Sequence, residues 1–232
     1  MFSSTIIPTV GRNSLSHSVC SVLDQSFSAD GFEVIVVNDS GKPLPEMDWQ
    51  SSSKVKVVNT QCRERGVARN TGAALAKGKY LHFLDDDDIL LPGALQAFWE
   101  LSQTTDAAWL HGHYQSMDNQ GNVLQEFDPE MEGNIFANLI AGEAIPLQAS
   151  LLNADCFFKA GAFDPNIPGN EDRDLSRRMA LAGKTAGTTH VVARIRIGQQ
   201  GSTTDWSRIA EMDRWSREKA LREPGAYQKL AR

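Results

Sequence analysis

The chain has 232 residues, of which 41% are apolar and 22% charged, a composition typical of a soluble globular protein. Its formal net charge of -6 argues against nonspecific binding to nucleic acid, because phosphate backbones are bound by basic faces. The cysteines, Cys20, Cys62 and Cys156, are an odd number without paired spacing, as is typical of a reducing cytosol. The sequence contains no signal-peptide pattern and no apolar run of membrane-spanning length, so it predicts a cytoplasmic protein.

The first half of the chain alternates strand-like and helix-like segments. Apolar, β-branched runs predict strands, and apolar residues at helical spacing predict helices. The predicted strands are at residues 4–9, 32–37, 54–58 and 80–84. The predicted helices between and after them are at residues 11–25, 66–76 and 92–101. This alternation predicts an α/β fold with a mostly parallel sheet, in which ligands bind beyond the carboxyl ends of the strands.

The second half has a different pattern, richer in turns. It predicts a hairpin from residues 107–117 and 123–127, a strand at 148–152 and a turn-rich loop at 164–172. The predicted elements that follow are a helix at 174–182, a last strand at 185–197 and a helical tail at 205–232. The mixed charges of the tail favour a solvated helix, with attachment to a membrane surface as the alternative. We therefore expect a single domain over residues 1–204, followed by the tail.

Four consecutive aspartates, Asp85 to Asp88, follow the fourth predicted strand. Adjacent carboxylates repel one another, so a fold retains them where a cation arrives or where water screens them. In an extended chain Asp85 and Asp87 would share one face, with Asp86 turned away. Carboxylate oxygens suit Mg²⁺ or Mn²⁺, ions that are commonly shared with substrate phosphates. The alternative is a solvated turn, and in either case Asp88 is a candidate cap for the helix near Pro92.

Several segments, taken in order, resemble family 2 glycosyltransferases, which have the GT-A fold. They are TIIPTVGR, SVLDQSF, FEVIVVNDSG, RGVARNTGAALAKGKYLHFLDDDD and FFKAGAFDPNIPGNEDRDLSRRMALAGK. The resemblance implies a Rossmann-like mixed, mostly parallel sheet flanked by helices. It further implies a nucleotide-sugar-binding half at about residues 1–104 and an acceptor-binding half at 105–204. The implied reaction is an inverting, metal-dependent transfer of a sugar from a UDP-sugar to a hydroxyl of a glycan or lipid-linked acceptor.

The resemblance also implies roles for residues on the donor side. Thr9 and Asp39 match positions beside the nucleotide base, and Arg69 matches an arginine near the donor pyrophosphate. Each residue has a structural alternative. Thr9 could simply end a strand or cap a helix, and Asp39 could be an ordinary turn aspartate. Arg69 could be a surface arginine of its helix.

Within the acidic run, the resemblance implies that Asp85 or Asp86 contacts the ribose. Asp87, with Asp85 as a second candidate, would bind Mn²⁺ or Mg²⁺. Asp172, in the segment GNED, matches the catalytic base that removes a proton from the acceptor hydroxyl. Its structural alternative is a carboxylate placed at a helix N-terminus, where the helix dipole favours it.

One segment departs from the family pattern. Many members carry a histidine where this chain has Gln199, and glutamine is a poorer metal ligand. Gln199, Ser202 or Thr203 could still donate hydrogen bonds to a diphosphate. This departure keeps open a non-catalytic nucleotide-sugar-binding protein. A sugar nucleotidyltransferase is a further alternative, although the loop after the first strand offers little to hold a triphosphate.

Histidine and tryptophan residues add fewer predictions. His82 lies inside a predicted strand, where a core role is expected. His111 and His113 alternate on a strand and could form a metal pair, but they lack obvious partners. Trp109 is interpreted as a packing residue.

Overall fold

The structure is a computed structural model that describes residues 1–27, 31–61, 64–167, 169–198 and 206–231. The strands in the described residues are β1 (Ser3–Thr9), β2 (Phe32–Asn38), β3 (Val55–Asn59), β4 (Tyr80–Phe83), β5 (Ile89–Leu90), β6 (Trp109–Met117), β7 (Val123–Phe127), β8 (Ser150–Asn153) and β9 (Thr185–Arg196). The α-helices are α1 (Leu15–Leu23), α2 (Arg65–Leu75), α3 (Ala94–Ser102), α4 (Phe136–Ala141), α5 (Ala154–Lys159), α6 (Glu171–Ala182), α7 (Trp206–Arg222) and α8 (Ala226–Leu230).

All these strands belong to one mixed sheet, in the order β3-β2-β1-β4-β8-β6-β9-β5, with β7 paired to β6. The four strands of the first half run parallel to one another, in the order β3, β2, β1 and β4. Strand β8 joins β4 in the antiparallel direction and connects the two halves. The predicted α/β architecture, with helices flanking the sheet, is confirmed.

The parallel register brings polar residues to one edge of the sheet. Thr9 at the end of β1 is paired with Asn38 at the end of β2, and Ile6 is paired with Phe83 at the end of β4. The amide of Asp39 donates to the carbonyl oxygen of Thr9 at 2.8 Å. The residues that follow these strands therefore lie next to one another, as the sequence predicted.

The core lies on both faces of the sheet, which explains the continuous apolar run from Val34 to Val37 in β2. Ile6 packs into the cluster on one face and Ile7 into the cluster on the other, because successive strand side chains point in opposite directions. In β2, Ile35 likewise packs into the first cluster and Val36 into the second. Both neighbouring strands are thus buried on two sides.

Helix α2 approaches the sheet closely because it is rich in small residues. A Cβ atom added at Gly72 would lie 2.4 Å from Cγ2 of Ile6 and 3.1 Å from Cγ2 of Val37. At Gly66, in the first turn of the same helix, an added Cβ would meet Cβ of Phe163 at an ordinary 3.5 Å.

We expect Gly72→Ala to lower the free energy of unfolding by about 1–3 kcal/mol, because the added methyl group overpacks the helix–sheet contact. Gly66→Ala is the matched control, and its helix-propensity gain of up to ~1 kcal/mol meets no clash. Urea unfolding of both variants measures the difference. Equal changes in the two variants would contradict the close approach at Gly72.

The structure corrects two local predictions. Helix α6 begins at Glu171, so Asp172 lies in its first turn and not in a preceding loop. The chain reverses immediately before it through Gly169 and Asn170, which have positive φ values of 112° and 61°. Asp88 does not cap α3, whose cap position is Gly93.

Helices α7 and α8, which follow the predicted domain, pack against the rest of the chain. Arg177 of α6 is 1% exposed, and its Nη2 donates to Oδ1 of Asp213 in α7 at 2.7 Å. Lys219 of α7 contacts Asp164 at 2.7 Å and Asp174 at 3.1 Å. Among the described helices, none combines the length and apolarity that a bilayer crossing requires.

His82 is a fully buried core residue of β4, as predicted. Its Nε2 donates to the carbonyl oxygen of Gln148 at 3.0 Å, and its Nδ1 accepts from the hydroxyl of Thr5 at 3.2 Å. Burial lowers the pKa of His82 to about 4. The ring is therefore neutral at physiological pH.

The depressed pKa predicts that stability falls with acid. An unfolded histidine is protonated below a pKa of about 6.5, while the folded one resists protonation down to about 4. The stability that depends on the neutral ring of His82 is therefore fully present above pH 6.5. As the pH falls toward 4 it is lost, which lowers the free energy of unfolding by roughly 3 kcal/mol in total. Urea unfolding of the wild type and of His82→Gln across this range measures it. The variant should have the shallower slope, and identical slopes would contradict the assignment.

Candidate active site

A cavity of ≈ 390 Å³ opens at the carboxyl ends of β1, β2 and β4. The predicted site residues that line it are Thr9, Asp39, Asp85, Asp86 and Asp87. Its other polar lining residues were not selected from the sequence: Arg12, Arg65, Asp88, Gln148 and Arg196. The cavity is therefore lined by cationic side chains as well as by the acidic run.

The acidic run forms a turn beyond the end of β4. The amide of Asp88 donates to the carbonyl oxygen of Asp85 at 3.1 Å, so the chain turns back on itself. Asp85, Asp87 and Asp88 each offer one carboxylate oxygen, and these oxygens lie within 4.8 Å of one another. The sequence predicted that Asp85 and Asp87 would share one face, and the turn brings Asp88 into the same cluster. This set of hard oxygen ligands fits Mg²⁺ or Mn²⁺.

The electrostatics of the turn favour an incoming cation. Burial raises the pKa of Asp88 well above its usual range, and the charge of Asp85 raises it further. Burial and the charge of Asp85 also raise the pKa of Asp87. For Asp85, burial would raise the pKa, but the positive charges of Arg69, Arg65 and Arg12, with the hydrogen bond from Arg69, together lower it. A divalent ion would stabilise the ionised forms of Asp87 and Asp88.

Asp88 also connects the turn to the last strand. Its Oδ1 accepts from the backbone amide of Arg196 in β9 at 2.7 Å. The guanidinium of Arg196 donates to the carbonyl oxygens of Asp87 at 3.3 Å and Asp118 at 2.6 Å. Strand β9 thereby closes one side of the cavity.

Asp86 lies outside the cluster formed by the other three carboxylates. It is 3% exposed, and its Oδ2 accepts from the hydroxyl of Thr9 at 2.5 Å. Its Oδ1 contacts Nη1 of Arg12 at 2.8 Å. Both oxygens of Asp86 are therefore engaged by this chain, and its predicted ribose contact stays a prediction.

Asp39 lies at the base of the same cavity, directly after β2. It is 4% exposed, and its Oδ1 accepts from the hydroxyl of Thr60 at 2.6 Å. Thr60 follows the neighbouring strand β3, so two strand ends hold this carboxylate in place. Asp39 is therefore buried and hydrogen-bonded, and its contact with a base stays a prediction.

Arg69 is a buried bridge between the two halves of the chain. It is 3% exposed, so the interpretation as a surface arginine is wrong. Its Nη2 contacts Oδ1 of Asp85 at 2.7 Å, and its Nη1 contacts Oε1 of Glu171 at 2.8 Å. Gln148 donates to the other oxygen of Asp85 at 3.0 Å. The arginine that lines the cavity from this helix is Arg65, one turn earlier.

Asp172 stands next to this bridge, in the first turn of α6. It lines a second cavity of ≈ 150 Å³, together with Tyr114, Pro146 and Arg173. Burial raises the pKa of Asp172, and the adjacent charge of Glu171 raises it further. Its Oδ1 accepts from the amide of Arg173 at 2.8 Å.

The other acids of this turn differ from Asp172 in their partners. Glu171 pairs with Arg69, and Asp174 pairs with Arg178 and with Lys219. Within the described ranges, no cationic side chain lies within 4.0 Å of the carboxylate of Asp172. Of these acids, Asp172 is thus the one suited to accept a proton from a ligand.

Gln199, Ser202 and Thr203 lie outside the described residues, so their predicted contacts with a diphosphate stay predictions. Gly198, immediately before them, lines the larger cavity. The histidines have separate partners, since Nε2 of His111 donates to the carbonyl oxygen of Met131 and Nε2 of His113 contacts Asp128. Trp109 is 1% exposed and packs in the core, as predicted.

Residues 4–159 match the model of the family described as "Glycosyl transferase family 2". The chain belongs to this family. Its mixed sheet with the site at the ends of the parallel strands is the GT-A fold. The crystal structure of S. aureus TarS 1-349 in complex with UDP-GlcNAc superposes on this domain with a TM-score of 0.79 and 17% identity. The match covers 100% of this chain and 71% of that one, and at this identity it concerns the fold alone.

Curated relatives of this family 2 glycosyltransferase are longer than the chain. An uncharacterized glycosyltransferase of Rickettsia bellii is 27% identical over 205 residues, which are 86% of this chain and 29% of the relative. TarP of Staphylococcus aureus, a poly(ribitol-phosphate) beta-N-acetylglucosaminyltransferase, is 27% identical over 169 residues, 70% of this chain and 50% of TarP. WfgD of Escherichia coli, a UDP-Glc:alpha-D-GlcNAc-diphosphoundecaprenol beta-1,3-glucosyltransferase, is 27% identical over 131 residues, 55% of this chain and 51% of WfgD. The chain thus spans about half or less of these proteins.

Proposed function

We propose that this chain catalyses an inverting, metal-dependent transfer of a sugar from a UDP-sugar to a hydroxyl of a glycan or lipid-linked acceptor. The observation that carries the proposal is the arrangement of the two cavities. One is lined by clustered carboxylates and by arginines, and the other by the carboxylate of Asp172, which has no ion-pair partner among the described residues. The names of TarP and WfgD, and the UDP-GlcNAc complex of TarS, support the donor and acceptor classes. Association with a membrane surface, where lipid-linked acceptors reside, belongs to the same proposal.

On the donor side, the chain's residues bind and orient a nucleoside diphosphate. Asp39 would accept a hydrogen bond from the imide N–H of uracil, and Asp85 or Asp86 is the candidate ribose contact. Asp87 and Asp88, with Asp85, would hold Mn²⁺ or Mg²⁺, which neutralises the charge that builds up on the leaving diphosphate. Arg65 and Arg196 also line this cavity, and their guanidinium groups are the candidates for contact with phosphate oxygens.

On the acceptor side, Asp172 acts as the general base. Its carboxylate takes the proton of the acceptor hydroxyl while the hydroxyl oxygen forms a bond to the anomeric carbon. The bond from that carbon to the diphosphate oxygen breaks on the opposite face, which inverts the configuration. The raised pKa of Asp172 makes the carboxylate a stronger base than an exposed aspartate.

The donor assignment predicts a metal-dependent thermal shift. UDP with Mn²⁺ or Mg²⁺ should raise the melting temperature more than UDP with a chelator, because a ligand that binds only the folded state stabilises it. At a ligand concentration of 100 Kd the gain is about 2.7 kcal/mol. GDP, dTDP and CMP under the same conditions test the base preference. A shift with GDP alone would reassign the donor, and no shift with any nucleotide would contradict the proposal.

A further inference from the structure

The guanidinium of Arg12 lies at the mouth of the larger cavity, next to the acidic turn. Its Nη1 is 2.8 Å from Oδ1 of Asp86 and 3.4 Å from Oδ2 of Asp87. The side chain of Arg12 is 41% exposed, whereas those of Asp86 and Asp87 are 4% and 13% exposed. A half-exposed cation thus already touches one carboxylate of the proposed metal cluster.

Asp86 holds this arginine at one nitrogen. The other oxygen of Asp86 accepts from the hydroxyl of Thr9, and that hydroxyl accepts from the amide of Gly11 at 2.9 Å. This chain of hydrogen bonds fixes the carboxylate against the loop that carries Arg12. In the described part of the structure, Arg12 donates to Asp86 from Nη1 and its side chain is 41% exposed, so part of the guanidinium is accessible to a ligand. A guanidinium anchored in this way can still fork across two phosphate oxygens.

We propose that Arg12 is a diphosphate-binding residue positioned by Asp86, and that it occupies the cation position beside Asp87 until a divalent ion arrives. This inference rests on the proposed function, because it takes the Asp85, Asp87 and Asp88 cluster as the metal site. Asp86 is then a positioning residue for Arg12. The rival role is a structural one, in which Arg12 only ties its loop to the acidic turn.

The two roles differ in the sign of the expected effects. Arg12 and a divalent ion compete to neutralise Asp87, so removing the arginine should tighten the binding of the metal alone. Arg12 and a diphosphate attract each other, so the same change should weaken UDP binding when the metal is saturating. A purely structural arginine predicts weaker binding, or no change, in both measurements.

The test uses Arg12→Gln, with Arg214→Gln as the matched control for loss of one positive charge. Arg214 lies in α7 with its side chain 82% exposed, paired only with Glu218 within the described residues. Electron paramagnetic resonance measures Mn²⁺ binding without nucleotide, and calorimetry measures UDP and UMP binding at saturating Mn²⁺. For Arg12→Gln we expect about threefold or greater tightening of Mn²⁺. We also expect about 10- to 100-fold weakening of UDP, with a smaller loss for UMP.

A second variant, Arg12→Lys, separates charge from geometry. It should bind Mn²⁺ as the wild type does, because the positive charge remains, and it should still bind UDP more weakly, because an ammonium cannot fork. Wild-type binding of UDP and Mn²⁺ by Arg12→Gln would overturn this inference and leave the proposed function standing. Failure of the wild type itself to bind Mn²⁺ or UDP would overturn both.

Discussion

Replacing Asp172 with asparagine is expected to lower kcat for sugar transfer by about 10²- to 10⁴-fold, the usual contribution of a general base. Asparagine has nearly the same shape but cannot accept the proton of the acceptor hydroxyl. The affinity for UDP should change little, because Asp172 lines the smaller cavity and not the one proposed for the donor. Steady-state transfer assays and calorimetry of UDP measure the two effects separately.

Asp155→Asn is the matched control, since Asp155 is an exposed carboxylate in the first turn of another helix, α5. It should transfer at the wild-type rate. Transfer that survives Asp172→Asn would show that another group is the base. A wild type that binds UDP and transfers to no acceptor would instead favour the non-catalytic binding protein.

The same assignment predicts a pH dependence. Burial and Glu171 raise the pKa of Asp172, so transfer should decline in acid at a pH above the usual range of an exposed aspartate. The direction follows because a base works only in its deprotonated form, which is lost as the pH falls through the folded pKa. Glu171→Gln removes the neighbouring negative charge and should move the acidic limb of kcat/KM to lower pH. If the acidic limb of kcat/KM lies at the same pH in Glu171→Gln as in the wild type, Asp172 is not the titrating base.

Replacing Arg69 with methionine is expected to lower the free energy of unfolding by about 3–5 kcal/mol, the typical cost of removing one partner from a buried ion pair. The change leaves Asp85 and Glu171 without the guanidinium that they share. Methionine can replace the packing contacts of the arginine side chain, but it cannot replace the positive charge. Urea unfolding measures the loss directly.

Two further variants test whether the loss in Arg69→Met comes from the buried ion pair. Arg65→Met, one helical turn earlier with a side chain 60% exposed, should change the unfolding free energy by less than about 1 kcal/mol. Adding Glu171→Gln to Arg69→Met should recover part of the loss, because one uncompensated carboxylate is then neutral. If the losses of unfolding free energy in Arg69→Met and Glu171→Gln simply add in the double variant, the shared ion pair is contradicted.

Many features of this domain could be predicted from local sequence. The continuous apolar run of β2 predicted a strand buried on both faces, because a strand with one solvated face alternates apolar and polar residues. Thr9, Asp39 and the acidic run lie at or just after the ends of β1, β2 and β4, so the position of the cavity followed from the rule for parallel sheets. The short elements β5, α4 and α5 were not predicted, because a few residues are too short to show a period.

The partners of the site residues were decided by tertiary structure alone. Asp88 accepts from Arg196, which is 108 residues away, and Arg69 pairs with Glu171, which is 102 residues away. Such contacts depend on how β9 and α6 pack against the first half of the chain, and no local pattern encodes that packing. The sequence by itself determined the fold class, the edge of the sheet that carries the site and its acidic character. The tertiary structure decided which carboxylates cluster, which arginines lie beside them and which acid has no cationic partner among the described residues, because these depend on distances between residues far apart in the chain.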